Sequence, residues 1–247
     1  MTLEQFFKEV PRAALAFSGG TDSALLLWAA KTYGCDVRAY YVNTVFQPAF
    51  ELADAKRLAE ELEVPMTVVE ADVLAVPEAA VNGPRRCYYC KKALFTTLWK
   101  RAAEDGYTVL LDGTNASDDA GDRPGMQALR ELEVRSPLRE CGITKDQVRQ
   151  MSKEAGLFTW DKPAYACLAT RVPTGTAITR EALEKVERGE DALFKLGFTD
   201  FRVRLLGDAA RIQLPEAQME KAVQLHDTIA KALEGDFSTV LLDLKGR

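Results

Sequence analysis

Histidine is almost missing from this chain of 247 residues: His226 stands alone. No Ser-His-Asp or Cys-His machinery can rest on a second histidine, and a His-rich zinc site is excluded. His226 falls in PEAQMEKAVQLHDTIAKALEG, in line with Met219, Val223 and Ile229, and is expected to be a helix packing residue. No apolar run approaches the roughly 20 residues that a membrane span needs. The opening MTLEQFFKEVPRAALAF has neither the basic segment nor the long apolar core of a signal peptide, so a cytoplasmic protein without a membrane partner is expected. Positive charge is in deficit, with 32 Lys and Arg against 37 Asp and Glu and a net charge of -5. That balance argues against nucleic acid as the main partner, although a local basic patch can hide inside an acidic total. Cysteine is sparse: Cys35, Cys87, Cys90, Cys141 and Cys167 are all there is. In a compartment that keeps thiols reduced they should not form structural disulfides. Internal repeats and low-complexity segments are lacking too.

What is present has a clear rhythm. Up to about residue 160, short apolar runs alternate with amphipathic helical stretches. The runs are AALAF (13–17), DVRAYYVN (36–43), MTVVEAD (66–72) and TVLLDGTN (108–115). Strands alternating with helices imply βαβ units, hence an α/β fold with a parallel, doubly wound sheet covered on both faces. Ligands then collect at the carboxyl ends of the strands. The segment ITKDQVRQMSKEAG predicts a further helix, with Thr144 and Gln147 as a capping box. The last 70 or so residues change pattern: a helix at about 179–197, two strand-like runs (FRVRLLG and ARIQLP), another helix, and TVLLDL. The expected division is 1–165 for the sheet domain and 166–247 for a small α+β appendage that binds substrate or makes an oligomer contact.

The strongest motif is SGGTDS, between the first strand and the first helix. Gly19 and Gly20 allow a tight turn and close approach to an anion. Ser18, Ser23 and the free N–H groups of the helix start can grip phosphate oxygens. Asp22 would stand near a magnesium ion or hold the loop. This is not the GxxxxGK[ST] loop of γ-phosphoryl transfer. It resembles the loop of the PP-loop ATP pyrophosphatases, and two more segments support the likeness: DGTNASD (112–118) after the fourth strand, and SPL followed by the ITKDQVRQMSKEAGL helix (136–157). The resemblance implies ATP as co-substrate with magnesium, cleavage between the α and β phosphates, and AMP linked to a substrate oxygen. It adds Gly113 and Thr114 to the nucleotide site and places adenine near Val42 and Asn43.

Cys87 and Cys90 form a CxxC in a loop that opens a helix, and Cys167 lies in PAYACLATRVPTG. A CxxC alone can be incidental or redox-active. Two close thiolates plus a distant third suit a [4Fe-4S] cluster with one open iron, whereas zinc would want a fourth protein ligand. Cys35 and Cys141 are expected to be ordinary semi-buried thiols. PAYACLATRVPTG, together with SGGTDS and LGFTDFRVR, resembles the LarE family, sulfur transferases that make the nickel-pincer nucleotide cofactor of lactate racemase. The likeness runs nearly end to end. It implies adenylylation of a carboxylate of pyridinium-3,5-biscarboxylate mononucleotide and its conversion to a thiocarboxylate. It also implies Cys167 as the sulfur-donating position, with dehydroalanine left behind in single-cysteine members and a [4Fe-4S] cluster on Cys87, Cys90 and Cys167 in members with the extra CxxC. A homo-oligomer, with a hexamer among the sizes, goes with the family. Arg202 and Arg204, at strand spacing and so on one face, are candidates to hold the substrate phosphate; a solvated strand face is the plainer alternative. Arg171 and Glu190 are weaker candidates for the same pocket.

Three rivals remain at this point. A tRNA thiolase of the PP-loop kind is opposed by the acidic total and by Thr21, where such enzymes often carry lysine. An ammonia-using synthetase would leave the cysteines unexplained. A nucleotide-binding regulatory protein would bind ATP without turning it over.

Overall fold

The computed structural model describes residues 1–118 and 124–246. Those residues form two compact units. The first is Met1–Val76 with Arg85–Lys162, and the second is Pro77–Pro84 with Pro163–Arg247. The boundary expected after residue 165 lies a few residues beyond this division, and it has no counterpart for the Pro77–Pro84 excursion.

In the first unit, α1 (Leu3–Glu9), β1 (Arg12–Ala16), α2 (Thr21–Thr32), β2 (Asp36–Asn43), α3 (Ala49–Glu61) and β3 (Met66–Glu70) follow in order. Pro77–Ala80, in the second unit, is the short α4. The first unit resumes with α5 (Arg86–Glu104), β4 (Leu110–Leu111), α6 (Pro124–Glu131), α7 (Pro137–Glu140) and α8 (Lys145–Glu154). The four strands pair in parallel in the order β3-β2-β1-β4. The fold is therefore α/β with a parallel sheet. Because side chains alternate along a strand, each strand must supply two cores. Ala13, Leu15, Val37, Ala39 and Tyr41 turn to one face and pack with Leu25 and Leu26 of α2, Leu58 of α3 and Val148 of α8. Ala14, Tyr40 and Val42 turn to the other and pack with Leu98 and Ala102 of α5. This double burial is why these runs are so uniformly apolar. The capping box expected at the start of α8 is present, with Thr144 and Gln147 in reciprocal bonds.

Chain direction around the sheet reverses at β1: the chain runs from β1 to β2 on one side and reaches β4 on the other. The crevice beyond the carboxyl ends of β1 and β4 is the switch point where open α/β sheets bind ligands.

The second unit continues with α9 (Arg180–Lys195), β5 (Arg202–Leu206), β6 (Ala209–Gln213), α10 (Met219–Gln224), α11 (His226–Leu233) and β7 (Thr239–Leu242). β5 and β6 form a tight hairpin through Gly207 at φ +60°, and β7 adds in parallel to β6. Phe198, Phe201, Val203, Ile212, Ile229 and Leu233 make its core. The Pro77–Pro84 excursion belongs here because of Asn82. Its side chain is fully buried, its backbone is left-handed at φ 59°, and its Nδ2 donates to the carbonyls of Val172, Pro173 and Thr176. Asparagine is among the few residues that tolerate that backbone region. His226 does not pack as expected. The helix predicted through it breaks at Leu225, and His226 begins α11 as an exposed residue whose Nδ1 lies 3.0 Å from the Val223 carbonyl.

Candidate active site

SGGTDS leaves β1 and enters α2 as the sequence order requires. Gly19 adopts φ +71°, and a Cβ there would sit 3.0 Å from the Cβ of Ala55, so both conformation and space demand glycine. Gly20 is the N-cap of α2 and makes no side-chain cap bond, so the first N–H groups of that helix have no capping side chain at Gly20. Ser18 and Ser23 close the loop across its neck. Their hydroxyl oxygens are 3.1 Å apart, and Ser23 Oγ donates to the Gly20 carbonyl at 3.1 Å. A loop of this shape at a helix N-terminus presents donors and positive dipole to an anion.

The turn after β4 meets this loop. A Cβ on Gly113 would lie 2.9 Å from the backbone nitrogen of Ser23, so only glycine lets the two loops touch. Asp112, buried, holds the turn by accepting from Thr114 Oγ1 at 2.5 Å and Ser136 Oγ at 2.6 Å. Asn115 Nδ2 donates to Asp22 Oδ1 at 2.9 Å, and Lys145 Nζ, at the start of α8, donates to Asp22 Oδ2 at 2.5 Å. The three sequence segments singled out for the nucleotide therefore meet at one carboxylate. Gly113→Ala tests the closeness of this contact. Displacing the turn by a fraction of an ångström should lower ATP turnover about a hundredfold while the protein still melts cooperatively. Turnover near the wild-type rate would refute it.

A cavity of about 330 Å³ opens here, lined by Ser18, Gly20, Asp22, Ser23, Gly113 and Thr114 together with Lys91, Phe95, Asp112 and Asp118. A second cavity of about 390 Å³ shares Lys91, Thr114 and Asp118 with it and adds Cys87 at its wall. Val42 and Asn43 end the neighbouring strand β2, with Asn43 Nδ2 donating to both carboxylate oxygens of Glu70. Asn115, Asp118 and Lys145 fall within the segments that carry the loop resemblance, though none is a candidate there by itself, and Lys91 follows the CxxC. A lysine one residue inside the predicted capping box was the available signal for Lys145.

The cleft has hard oxygen donors suited to magnesium, an ion that binds through one or two carboxylates plus substrate phosphates. Asp22, Asp112 and Asp118 supply the carboxylates of its lining. Among the described residues no three His, Cys, Asp or Glu side chains form a preassembled metal site. Cys87 and Cys90 lie one turn apart at the start of α5, and Cys167 belongs to the second unit. Cysteine thiolates are soft donors of the right kind for iron and sulfur. Cys35 is buried, donates to the Val10 carbonyl at 3.3 Å, and burial pushes its thiol up to about 11. Burial raises Cys141 as well. Both are structural thiols, protonated and poor as nucleophiles at neutral pH.

In the second unit Arg171 and Glu190 form a buried ion pair, Nε to Oε1 at 2.8 Å and Nη2 to Oε2 at 3.0 Å. Glu190 also accepts from Val203 N at 2.9 Å and from the hydroxyl of Tyr165. Burial, with Glu190 alongside, holds the Tyr165 phenol well above its usual range. Arg202 is 3% exposed and donates to the carbonyls of Phe201 and Ala164, each at 2.6 Å. Arg204, half-buried, donates to the Thr170 carbonyl and to Gln213.

Known proteins resemble the chain along its whole length. The family described as Queuosine biosynthesis protein QueC matches residues 12–81, the stretch from β1 beyond β3. The pyridinium-3,5-bisthiocarboxylic acid mononucleotide synthase of Lactiplantibacillus plantarum is 36% identical over 99% of this chain and 90% of the relative. The chain belongs to the LarE family. An uncharacterized protein of Synechocystis sp. is 40% identical over 99% of this chain and 92% of its own length. A more distant match is the tRNA-specific 2-thiouridylase MnmA 2 of Clostridium botulinum, at 25% identity over 71% of this chain and 60% of the relative. LarE proteins are sulfur-transferring enzymes of the PP-loop kind, and the two named relatives agree on sulfur as the transferred element. No helix among the described residues is long and apolar enough to cross a membrane.

Proposed function

We propose that this LarE-family chain adenylylates a carboxylate of pyridinium-3,5-biscarboxylate mononucleotide, releasing pyrophosphate, and converts it to a thiocarboxylate. The observation that carries the reading is the meeting of SGGTDS, the Gly113 turn and Lys145 around Asp22, in a cleft at the switch point of a chain similar over its full length to the named synthase.

The chemistry follows from the residues. The N–H groups of the loop and the start of α2 bind the triphosphate and keep it in line. Lys145 and Lys91 place positive charge where pyrophosphate departs. Magnesium supplies further charge neutralisation when bound, and Asp22 would help hold it. A substrate carboxylate oxygen attacks the α phosphorus, the α–β bond breaks, and pyrophosphate carries off the electron pair. The acyl adenylate has AMP as a good leaving group, which a free carboxylate lacks. A sulfur nucleophile then adds to the acyl carbon and AMP leaves; the thiolate form is needed because a neutral thiol attacks poorly.

Cys167 is the sulfur-bearing residue in this proposal. If it gives its own sulfur, the thioester formed with the substrate loses the Cα proton and breaks its Cβ–S bond. Thiocarboxylate departs and dehydroalanine stays in the chain. The finer alternative keeps Cys87, Cys90 and Cys167 as ligands of a [4Fe-4S] cluster, and iron content after anaerobic reconstitution tests it. The substrate phosphate is assigned to the second unit, where Arg204 is more exposed than its strand neighbour Arg202. A homo-oligomer in the cytoplasm completes the proposal, and sedimentation reports its size. Incubation with ATP, magnesium and the mononucleotide should yield AMP and pyrophosphate in equal amounts. Formation of ADP, or pyrophosphate release driven by tRNA in place of the mononucleotide, would overturn the assignment.

A further inference from the structure

The segment that carries Cys167 has no regular secondary structure from Pro163 to Ala166, yet its carbonyls are held by an unusual set of donors. Arg202 Nη2 donates to Ala164 O at 2.6 Å. Arg171 Nη1 donates to Ala166 O at 2.7 Å, to Cys167 O at 3.3 Å and to Thr170 Oγ1 at 2.8 Å. Arg204 Nη1 donates to Thr170 O. Three guanidinium groups thus grip the backbone before, at and after the cysteine. Their planar, fixed donor geometry suits such a task better than a lysine would. Arg171 is the centre of the set: its side chain is wholly buried, and its remaining nitrogens are engaged by Glu190. Glu190 in turn ties the group to α9, which it belongs to, and to β5 through Val203 N. The Tyr165 ring lies against both Arg171 and Arg202, at 4.5 and 5.0 Å from their guanidinium carbons.

Resting on the reading that Cys167 carries the sulfur, we propose that Arg171, anchored by Glu190, is a positioning residue that fixes the backbone around Cys167 and is not a substrate-binding cation. All three guanidinium nitrogens are already engaged inside the unit, and burial closes the group to a phosphate. A charge pair is costly to bury, and well-packed apolar residues often replace such a pair without loss of stability. Here the pair supplies what apolar residues cannot: directed N–H donors for three oxygens around one cysteine.

That difference sets the experiment. Arg171→Met alone would leave Glu190 as an unpaired buried carboxylate, so the informative protein is the Arg171→Met, Glu190→Met double variant in the full chain. It should still melt cooperatively, though below the wild type because Val203 N and the Tyr165 hydroxyl lose their acceptor, while kcat for thiocarboxylate formation falls about a hundredfold and KM for the mononucleotide hardly moves. A wild-type kcat overturns the proposal. A large rise in KM with kcat kept also overturns it, because that result marks Arg171 as a substrate ligand. Should the double variant not fold, Glu190→Gln keeps the shape and weakens the anchor. Amide hydrogen exchange at residues 166–170 should then quicken relative to the rest of the unit, and unchanged exchange refutes the idea. Cys167→Ala separates the two layers: full sulfur transfer by that variant sinks the reading of Cys167, while the exchange result still decides whether Arg171 orders the segment.

Discussion

Asp22→Ala is expected to reduce pyrophosphate release about a hundred- to a thousandfold, the scale seen when one preorganised electrostatic group is removed from a reacting centre. The carboxylate is the junction of the nucleotide cleft. It takes Asn115 from the turn after β4 on one oxygen and Lys145 from α8 on the other, so both segments lose their common partner together. Stability should change little. The Asp22 and Lys145 side chains are 26% and 32% exposed, and ion pairs that wet contribute ~1 kcal/mol or less. Thermal melting near the wild type, with pyrophosphate release cut by that factor, is the expected pair of results. Pyrophosphate release close to normal would remove Asp22 from the reaction. Loss of folding would instead make the junction structural.

Cys167→Ala is expected to abolish thiocarboxylate formation altogether while the acyl adenylate still forms, because the proposed function puts sulfur delivery on Cys167 and adenylylation on the cleft residues, which belong to different units. Intact mass of the wild-type chain after a single turnover then identifies the sulfur carrier. A chain lighter by one hydrogen sulfide, with the loss mapped to Cys167, means that the residue gave its own sulfur. Full mass at Cys167 with repeated turnover in the presence of sulfide and iron means a cluster carried it, and Cys87→Ala, Cys90→Ala should then lose activity. Thiocarboxylate formation by Cys167→Ala would contradict both routes. Cys35 and Cys141 should not substitute, since burial keeps both thiols protonated.

Much of the geometry of the cleft was legible in the chain because its signals are local. Short apolar runs alternating with helical stretches mark a parallel sheet, and a Gly-Gly turn between strand and helix marks a phosphate loop. The capping box of α8 was equally visible. What the sequence hid depends on contacts far apart along the chain. Lys145 reaches Asp22 across 123 positions, and no periodicity reports such a distance. Gly113 is required by a neighbour's backbone, which its own surroundings do not reveal. Asn82 draws Pro77–Pro84 into the second unit through three carbonyls some 90 positions away, and a linear division of the chain has no way to anticipate that.

In the second unit too, residue spacing does not reveal what a side chain faces. Arg202 and Arg204 share a strand spacing that suits a phosphate site, and spacing alone cannot tell whether a guanidinium faces a ligand or the protein's own carbonyls. Arg202 faces the carbonyls of Phe201 and Ala164. His226 lay on a helical line with Met219, Val223 and Ile229, but the break at Leu225 separates α10 from α11, and the line does not survive it.

The reaction at the cleft can be followed by the path of one oxygen atom. Mononucleotide labelled with ¹⁸O in its carboxylates, incubated with ATP and magnesium and a sulfur-competent wild-type enzyme, should give AMP that carries one ¹⁸O atom, together with unlabelled pyrophosphate. AMP without the label, or label appearing in inorganic phosphate alongside ADP, would contradict attack of the carboxylate on the α phosphorus.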